Sequence, residues 1–241
     1  MATTTAAVVT VFALHKPKGI KCDLSVSAPP NPHRPKDLKT WFDTLAPDLR
    51  HIGRLDKATT GLLLATTACA AGGALTTRLL TPGNVSKTYV ATCRATTNTI
   101  TQEQQDALLT DMTLNDGPAR FDSIAVREIR TTTFGEYERH EIDIQVTLRI
   151  GRNRIVRRLL AAHKLPVCKL HREAIGGLKL SDLSIPNTSD SVQLNTMEIA
   201  RLWSGKTSDN NTKGGNKRSL SEVTCRERSN TKKLRREESL E

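Results

Sequence analysis

The chain is poor in aromatic residues and has no long apolar run. Phe, Trp and Tyr make up 3% of its 241 residues, which limits the base stacking that the protein can supply. No stretch approaches the roughly 20 apolar residues that span a bilayer, and residues 1–14 lack the basic flank of a signal peptide. We therefore expect an intracellular protein without membrane association.

Cysteine and histidine are present without the spacings of a disulfide framework or a metal site. The five cysteines are an odd number and form no C-x-x-C pair. No two of the six histidines have the i, i+4 spacing that would aim both at one metal from a helix. These spacings favour reduced thiols and predict no metal site.

Positive charge is in excess throughout the chain. Lysine and arginine number 36 against 25 aspartates and glutamates, a net charge of +11. Such a balance attracts polyanions, and nucleic acid is the first partner to consider. With 37% hydrophobic residues the chain still has the composition of an ordinary globular protein.

The composition changes after Trp203, where residues 204–241 become polar and lose apolar periodicity. We expect these residues to form a disordered basic tail. Lys217-Arg218 and the KKLRR run at 232–236 favour either a nuclear-targeting segment or a phosphate-binding arm. The expected compartment is therefore the cytoplasm or the nucleus and nucleolus.

The apolar periodicity upstream of the tail predicts a mixture of strands and helices. Strands are expected at residues 8–15, 61–67, 87–94, 119–129, 140–150 and 166–180. Helices are expected at 38–45, from about 68 to 80, at 102–109 and at 153–164. Because the order lacks a regular βαβ alternation, the sequence predicts an α+β fold over residues 11–203, preceded by a short extension, residues 1–10.

One candidate site is a carboxylate between two cations. Asp56 lies between Arg54 and Lys57, directly before the apolar run that begins at Gly61. Nearby cations favour the ionised carboxylate, the form that serves as a nucleophile or stabilises positive charge. The alternative is a loop salt bridge that leads into a core strand.

A second candidate site is an arginine-rich helix. With Asn153 as the N-cap, Arg154, Arg157 and Arg158 share one face, while the residues opposite them are apolar. No carboxylate within this segment compensates the arginines, so the row is suited to RNA phosphates. A solvated charged face is the alternative.

A third candidate is Tyr89, which lies within a short strand-like segment, residues 86–90. A strand aromatic is most often a core residue whose hydroxyl finds a partner. In an enzyme that acts on nucleic acid, the same ring would stack on a base. The sequence alone leaves both interpretations open.

Taken in order, these segments resemble the RsuA/RluE-type family of RNA pseudouridine synthases, over about residues 11–203. The resemblance rests on five ordered motifs. They are LHKPKG at 14–19, GRLD at 53–56 with GLLL at 61–64, KTY at 87–89, GRNR at 151–154 with VRR at 156–158, and LHR at 170–172 with IGGL at 175–178.

The resemblance implies a pseudouridine synthase fold, with a largely antiparallel central sheet flanked by helices and loops. It implies that the enzyme cuts the N1–C1′ bond of a flipped uridine, turns the uracil and joins C5 to C1′. It also implies that no cofactor or metal takes part. The N-terminal S4-type RNA-binding domain of many relatives is not expected here.

By matching positions, the resemblance also implies roles for individual residues. Asp56 is the catalytic carboxylate, and Arg157 is its ion-pair partner. Tyr89 packs against the uracil and helps with the proton at C5, and Leu170 supplies an apolar wall. Arg54 holds the displaced nucleotide. The remaining RNA contacts are assigned to Arg152, Asn153, Arg154 and Arg158.

The expected partner is structured RNA, with ribosomal RNA favoured over tRNA, and the expected state is a monomer. A non-catalytic RNA-binding or ribosome-assembly protein with the same fold is the alternative. Ile150 and Ile155 permit it, since they stand where a polar residue is usual in the family. A DNA-binding regulator is disfavoured, since no helix-turn-helix pattern is present.

Overall fold

The structure is a computed structural model that describes residues 9–25, 37–134, 137–185 and 187–204. Within these residues it contains eleven strands and five α-helices. The predicted basic tail, apart from Ser204, lies outside the described residues, as do residues 1–8 of the predicted N-terminal extension.

The strands and helices alternate without a repeating unit. The strands are β1 (Val11–Lys16), β2 (Leu49–Ile52), β3 (Thr59–Thr67), β4 (Lys87–Ala95), β5 (Met112–Leu114), β6 (Gly117–Ala119), β7 (Ser123–Phe134), β8 (Tyr137–Leu148), β9 (Val167–Ile175), β10 (Leu178–Lys179) and β11 (Ser191–Gln193). The helices are α1 (Leu38–Asp43), α2 (Ala70–Leu80), α3 (Gln102–Leu109), α4 (Ile155–Ala162) and α5 (Thr196–Arg201).

Nine strands form one large sheet in the order β11-β1-β3-β9-β4-β8-β7, with β2 paired to β3 and β10 to β9. All of these pairs are antiparallel except β3 with β9, which is parallel. Strands β5 and β6 form a separate hairpin. The prediction of an α+β fold with a largely antiparallel central sheet is confirmed.

The continuous apolar run in β3 reflects burial on both faces of the sheet. Leu62 and Leu64 pack into one core cluster, whereas Leu63 and Ala65 pack into the cluster on the other face. A strand covered on both sides needs no alternation with polar residues. This strand leads directly out of the segment that carries Asp56.

Gly61 allows β3 and β9 to approach closely. Its φ is +109°, a conformation that L side chains rarely adopt, and a β-carbon there would overlap the backbone of Arg172. Glycine is suited to this position because it tolerates the dihedral angle and presents no side chain to the neighbouring strand.

The predicted helices are confirmed in place, with corrections at their ends. Helix α3 has the predicted bounds and begins with a capping box between Thr101 and Gln104. The prediction that Asn153 caps α4 is wrong, because the cap position is Arg154, which has a left-handed φ of 49° and makes no side-chain cap. Arg152, in the segment before α4, instead donates a hydrogen bond to the carbonyl oxygen of Gly117 in the β5–β6 hairpin.

Several short elements were not predicted from the sequence. The sequence gives little sign of β2, β5, β6, β11 and α5, each of which is three to six residues long. The hairpin of β7 and β8 also extends further than predicted, with twelve residues in each strand. Short strands depend on their partners more than on their own periodicity, which explains these omissions.

Candidate active site

A cleft of about 380 Å³ opens between the loop after β2, the start of β4, the segment before α4 and the strand β9. It brings together most of the residues predicted from the sequence. Those that line it are Arg54, Asp56, Tyr89, Arg152, Asn153, Arg154 and Leu170. Arg157 and Arg158 do not line it.

Asp56 is half-buried in the loop between β2 and β3. The cations next to it in sequence, Arg54 and Lys57, are exposed. Within the described part of the chain, no ion pair within 4.0 Å joins Asp56 to either of them. The geometry therefore does not support the loop salt bridge that the sequence left open.

The side chain of Lys16, which is 0% exposed, supports the loop around Asp56 from the interior of the protein. The Lys16 ammonium donates to the carbonyl oxygens of Asp56 at 3.3 Å, of Thr59 at 2.9 Å and of Pro17 at 3.0 Å. Burial lowers the pKa of Lys16, and the nearby Cys22 and Asp56 partly oppose that shift. A cation beneath the loop thus fixes the backbone that presents Asp56.

Tyr89 and Leu170 form the apolar part of the cleft. Tyr89 is half-buried on β4 and packs against the core clusters on both sides of it. Leu170 is buried on the neighbouring strand β9. A flat ring beside an aliphatic wall is suited to a nucleobase.

Arg157 lies behind the cleft. Its Nη1 donates to the carbonyl oxygen of Val167 at 2.9 Å, and its Nε and Nη2 are buried without a hydrogen-bond partner among the described atoms. Burial lowers the pKa of Arg157, as does Arg154, while the charge of Asp56 opposes the shift. Asp56 therefore lies close enough to act on Arg157, although no ion pair within 4.0 Å is formed in the described structure.

The arginines around α4 are partly neutralised, which corrects the expectation of an uncompensated row. Arg158 forms a bidentate pair with Asp116 at 2.9 and 2.6 Å. Arg152 donates to the carbonyl oxygen of Gly117 at 2.8 Å, and one of its nitrogens lies 3.5 Å from Asp116. The compensating carboxylate comes from the turn between β5 and β6, which the sequence did not place beside this helix.

Two charged residues among those that line the cleft, Lys87 and Arg172, were not predicted as site residues. Both line the cleft although they are only 7% and 5% exposed. The sequence signal for both residues is their place in two of the family-like motifs, KTY at 87–89 and LHR at 170–172.

The described residues contain neither a candidate metal site nor a helix able to span a bilayer. No group of three or more His, Cys, Asp or Glu side chains lies together within residues 9–25, 37–134, 137–185 and 187–204. In the same part of the chain no helix is long and apolar enough to cross a membrane.

Comparison with known proteins identifies the family. The family model described as RNA pseudouridylate synthase matches residues 10–162. Ribosomal large subunit pseudouridine synthase B of Bacillus subtilis is 31% identical over 195 residues, which are 79% of this chain and 70% of that protein. An uncharacterized RNA pseudouridine synthase of Mycobacterium tuberculosis is 42% identical over 134 residues, which are 55% of this chain and 46% of that protein. The chain thus spans about half the length of the mycobacterial relative.

The fold comparison agrees with the sequence comparison. A solved structure described as a crystal structure of pseudouridylate synthase superposes with a TM-score of 0.57 at 24% identity. The match covers 83% of this chain and 76% of that one. The predicted family is therefore confirmed, and the chain belongs to the RNA pseudouridylate synthases.

Proposed function

We propose that residues 11–203 form a catalytic domain that isomerises uridine to pseudouridine in structured RNA, with ribosomal RNA as substrate. The observation that carries the proposal is the position of Asp56, a half-buried carboxylate that lines the same cleft as Tyr89 and Leu170. The cleft volume of about 380 Å³ lies within the usual range for small-ligand sites.

The composition of the cleft favours isomerisation over hydrolysis. Among the described residues that line the cleft, Asp56 is the only carboxylate. Glycoside hydrolases use two carboxylates, one as acid and one as base or nucleophile. A single carboxylate can form a bond to the electron-poor C1′ when the N1–C1′ bond breaks. C5 of the same base then attacks C1′ and displaces the carboxylate.

A uridine must leave its helix before it reaches Asp56, because a stacked base cannot enter the cleft. The exposed Arg54 and Arg154 at the rim supply positive charge for the backbone of the displaced nucleotide. Tyr89 stacks on the base and Leu170 closes the apolar side. In this proposal Arg157 acts on Asp56 from behind the cleft.

The proposed choice of ribosomal RNA rests on the relative from Bacillus subtilis, whose name places its substrate in the large ribosomal subunit. The test is pseudouridine mapping on total RNA from cells with and without the protein, followed by reaction of the purified chain with ribosomal and transfer RNA transcripts. We expect at least one ribosomal uridine to depend on the protein. Modification confined to tRNA would overturn the substrate choice.

Asp56→Asn removes the nucleophile with little change in volume. Because a nucleophile is lost, pseudouridine formation is expected to fall by more than about 10⁴-fold. RNA affinity is expected to stay within about twofold, since the phosphate contacts remain. Asp111→Asn, at an exposed position, is the matched control. RNA binding by the wild-type protein without any isomerisation would identify a non-catalytic RNA-binding protein instead.

A further inference from the structure

Two buried cations, Lys87 and Arg172, line the cleft from adjacent strands. Lys87 is at the start of β4 and Arg172 is on the adjacent strand β9, where it is paired in register with Tyr89. Burial, together with the smaller effect of the nearby positive charge of Arg172, lowers the pKa of Lys87 to about 8. The two charges are therefore close to each other in a largely desolvated place.

The described hydrogen bonds leave part of this positive charge without a partner. The Lys87 ammonium donates to the carbonyl oxygens of Leu79 at 3.1 Å and Val85 at 2.8 Å, although it has three N–H groups. Arg172 donates from Nε to the carbonyl oxygen of Leu62 at 2.7 Å, and its Nη2 is buried with no partner.

In the part of the chain that the structure describes, neither cation has a carboxylate partner. Within the described residues no carboxylate oxygen lies within 4.0 Å of a nitrogen of Lys87 or Arg172. Two buried cations without a counter-ion are unfavourable unless something else supplies negative charge. A structural lysine at the C-terminal end of α2 would explain the bond to Leu79. It would not explain a second buried cation, Arg172, which lines the same cleft and has an N–H group without a partner among the described atoms.

We propose that Lys87 and Arg172 form an oxyanion subsite for the uracil base that is released when the N1–C1′ bond breaks. This inference rests on the proposed function. The electron pair of the broken bond stays on N1 and is delocalised onto the carbonyl oxygens of the base, so the base becomes an anion. When C5 attacks C1′, it loses its proton and N1 gains one, so the product is neutral and neither cation is consumed.

The depth of the subsite favours the base over a phosphate as the anion. Lys87 and Arg172 are nearly inaccessible to water, and the apolar side chains of Leu64, Leu79 and Ile175 line the same cleft. A strongly hydrated phosphate is better matched by the exposed arginines at the rim. Fixed donors in a dry site stabilise charge that develops during the reaction, and here that charge is on the base.

The test compares uridine with 5-fluorouridine at the target position of the RNA, in single turnovers that measure cleavage of the N1–C1′ bond. Fluorine at C5 withdraws electrons, so its base anion needs less stabilisation. Lys87→Gln keeps N–H groups for the carbonyl oxygens but removes the charge. We expect cleavage at uridine to slow by about 100-fold, as for loss of one oxyanion donor, and cleavage at 5-fluorouridine to slow by only about 10-fold.

Two variants serve as controls, with thermal melting as a check that each one folds. Lys87→Arg retains the charge and is expected to recover most of the activity at uridine. Lys179→Gln makes the same change at an exposed position on β10 and is expected to change neither rate. Equal slowing of both substrates in Lys87→Gln would overturn the subsite, because a purely structural role does not distinguish the two leaving groups.

A binding measurement tests the subsite without turnover, so that failure of the proposed function is recognised separately. The probe is 5-nitrouracil, which is an anion at neutral pH, with neutral uracil as the reference. We expect Lys87→Gln to weaken binding of the anion about 10-fold, through loss of a charge-assisted hydrogen bond, and to leave uracil binding unchanged. Equal affinity of the wild-type and Gln proteins for the anion would contradict the proposal.

Discussion

The buried ammonium of Lys16 donates a hydrogen bond of 3.3 Å to the carbonyl oxygen of Asp56. Lys16→Met would remove this bond and the bonds to the carbonyl oxygens of Pro17 and Thr59, although the Asp56 oxygen would keep the N–H of Thr59 at 2.9 Å. Because unpaired buried acceptors are costly, we expect the free energy of unfolding to fall by about 1 to 3 kcal/mol. We also expect kcat to fall, since the loop that presents Asp56 loses its support.

Urea denaturation and single-turnover assays measure these two effects. Lys18→Met is the matched control, because Lys18 lies on the same turn but is exposed. A Lys16→Met protein as stable and as active as Lys18→Met would show that the Lys16 ammonium does not support the loop.

Tyr89→Phe keeps the ring and removes the hydroxyl. If the hydroxyl helps to move the proton at C5, turnover falls by about 10²- to 10⁴-fold, the usual contribution of a general acid or base. RNA affinity stays unchanged because the ring still stacks. A filter-binding assay together with pseudouridine quantification distinguishes the two effects, and wild-type turnover in Tyr89→Phe would leave the ring with a packing role alone.

Asp116→Asn removes the carboxylate that pairs with Arg158 and lies near Arg152. The freed arginines become available to phosphates, so RNA affinity at low salt is expected to rise about threefold or more. The slope of log K against log salt is expected to become more negative by up to about 0.9, which is the contribution of one phosphate contact.

Asp43→Asn is the control for this change, because it removes one exposed carboxylate from a pair with Lys39 on α1. Both variants raise the net charge by the same amount. If they bind RNA equally, the charge near α4 has no special part in binding.

The titration of Lys87 predicts opposite pH trends for stability and activity. Its pKa is about 8 in the folded protein against an ordinary value of 10.5. Between these values the unfolded chain holds more protons, so the Lys87 contribution to the free energy of unfolding rises with pH. Activity falls over the same range, because the subsite loses a charge as pH passes about 8.

Lys87→Gln supplies the baseline, since other groups also titrate in this range. From pH 7.5 to 9.5, the wild-type protein is expected to gain stability relative to Lys87→Gln in urea denaturation. The ratio of wild-type to variant turnover is expected to fall. A constant ratio across this range would show that the Lys87 charge does not act in the reaction.

The sequence predicts those parts of the fold that depend on local patterns. The apolar run of β3 is visible in the chain, and both β3 and α3 occur where they were expected. The start of α4 was misplaced because Arg154 adopts a left-handed conformation. The hydrogen bond from Arg152 to Gly117 belongs to the same segment and spans 35 residues of sequence. No sequence pattern within the segment before α4 predicts a contact with residues so distant in the chain.

The candidate site also contains residues that short sequence motifs reveal and residues whose placement depends on contacts between distant segments. Asp56, Tyr89 and Leu170 lie in short motifs, and the structure brings them to one cleft. The sequence does not mark Lys87 and Arg172 as buried cleft residues, because a basic side chain is expected at the surface. Their burial depends on the pairing of β4 with β9, which periodicity does not reveal.

Gly61 restricts where this chain can change without disturbing the cleft. The missing side chain fixes the spacing between the strand that follows Asp56 and the strand that carries Arg172. Both residues line the cleft, so a single methyl group added at position 61 would displace two of its walls together. Substitutions of the exposed residues at the rim and in the β5–β6 hairpin leave this spacing intact.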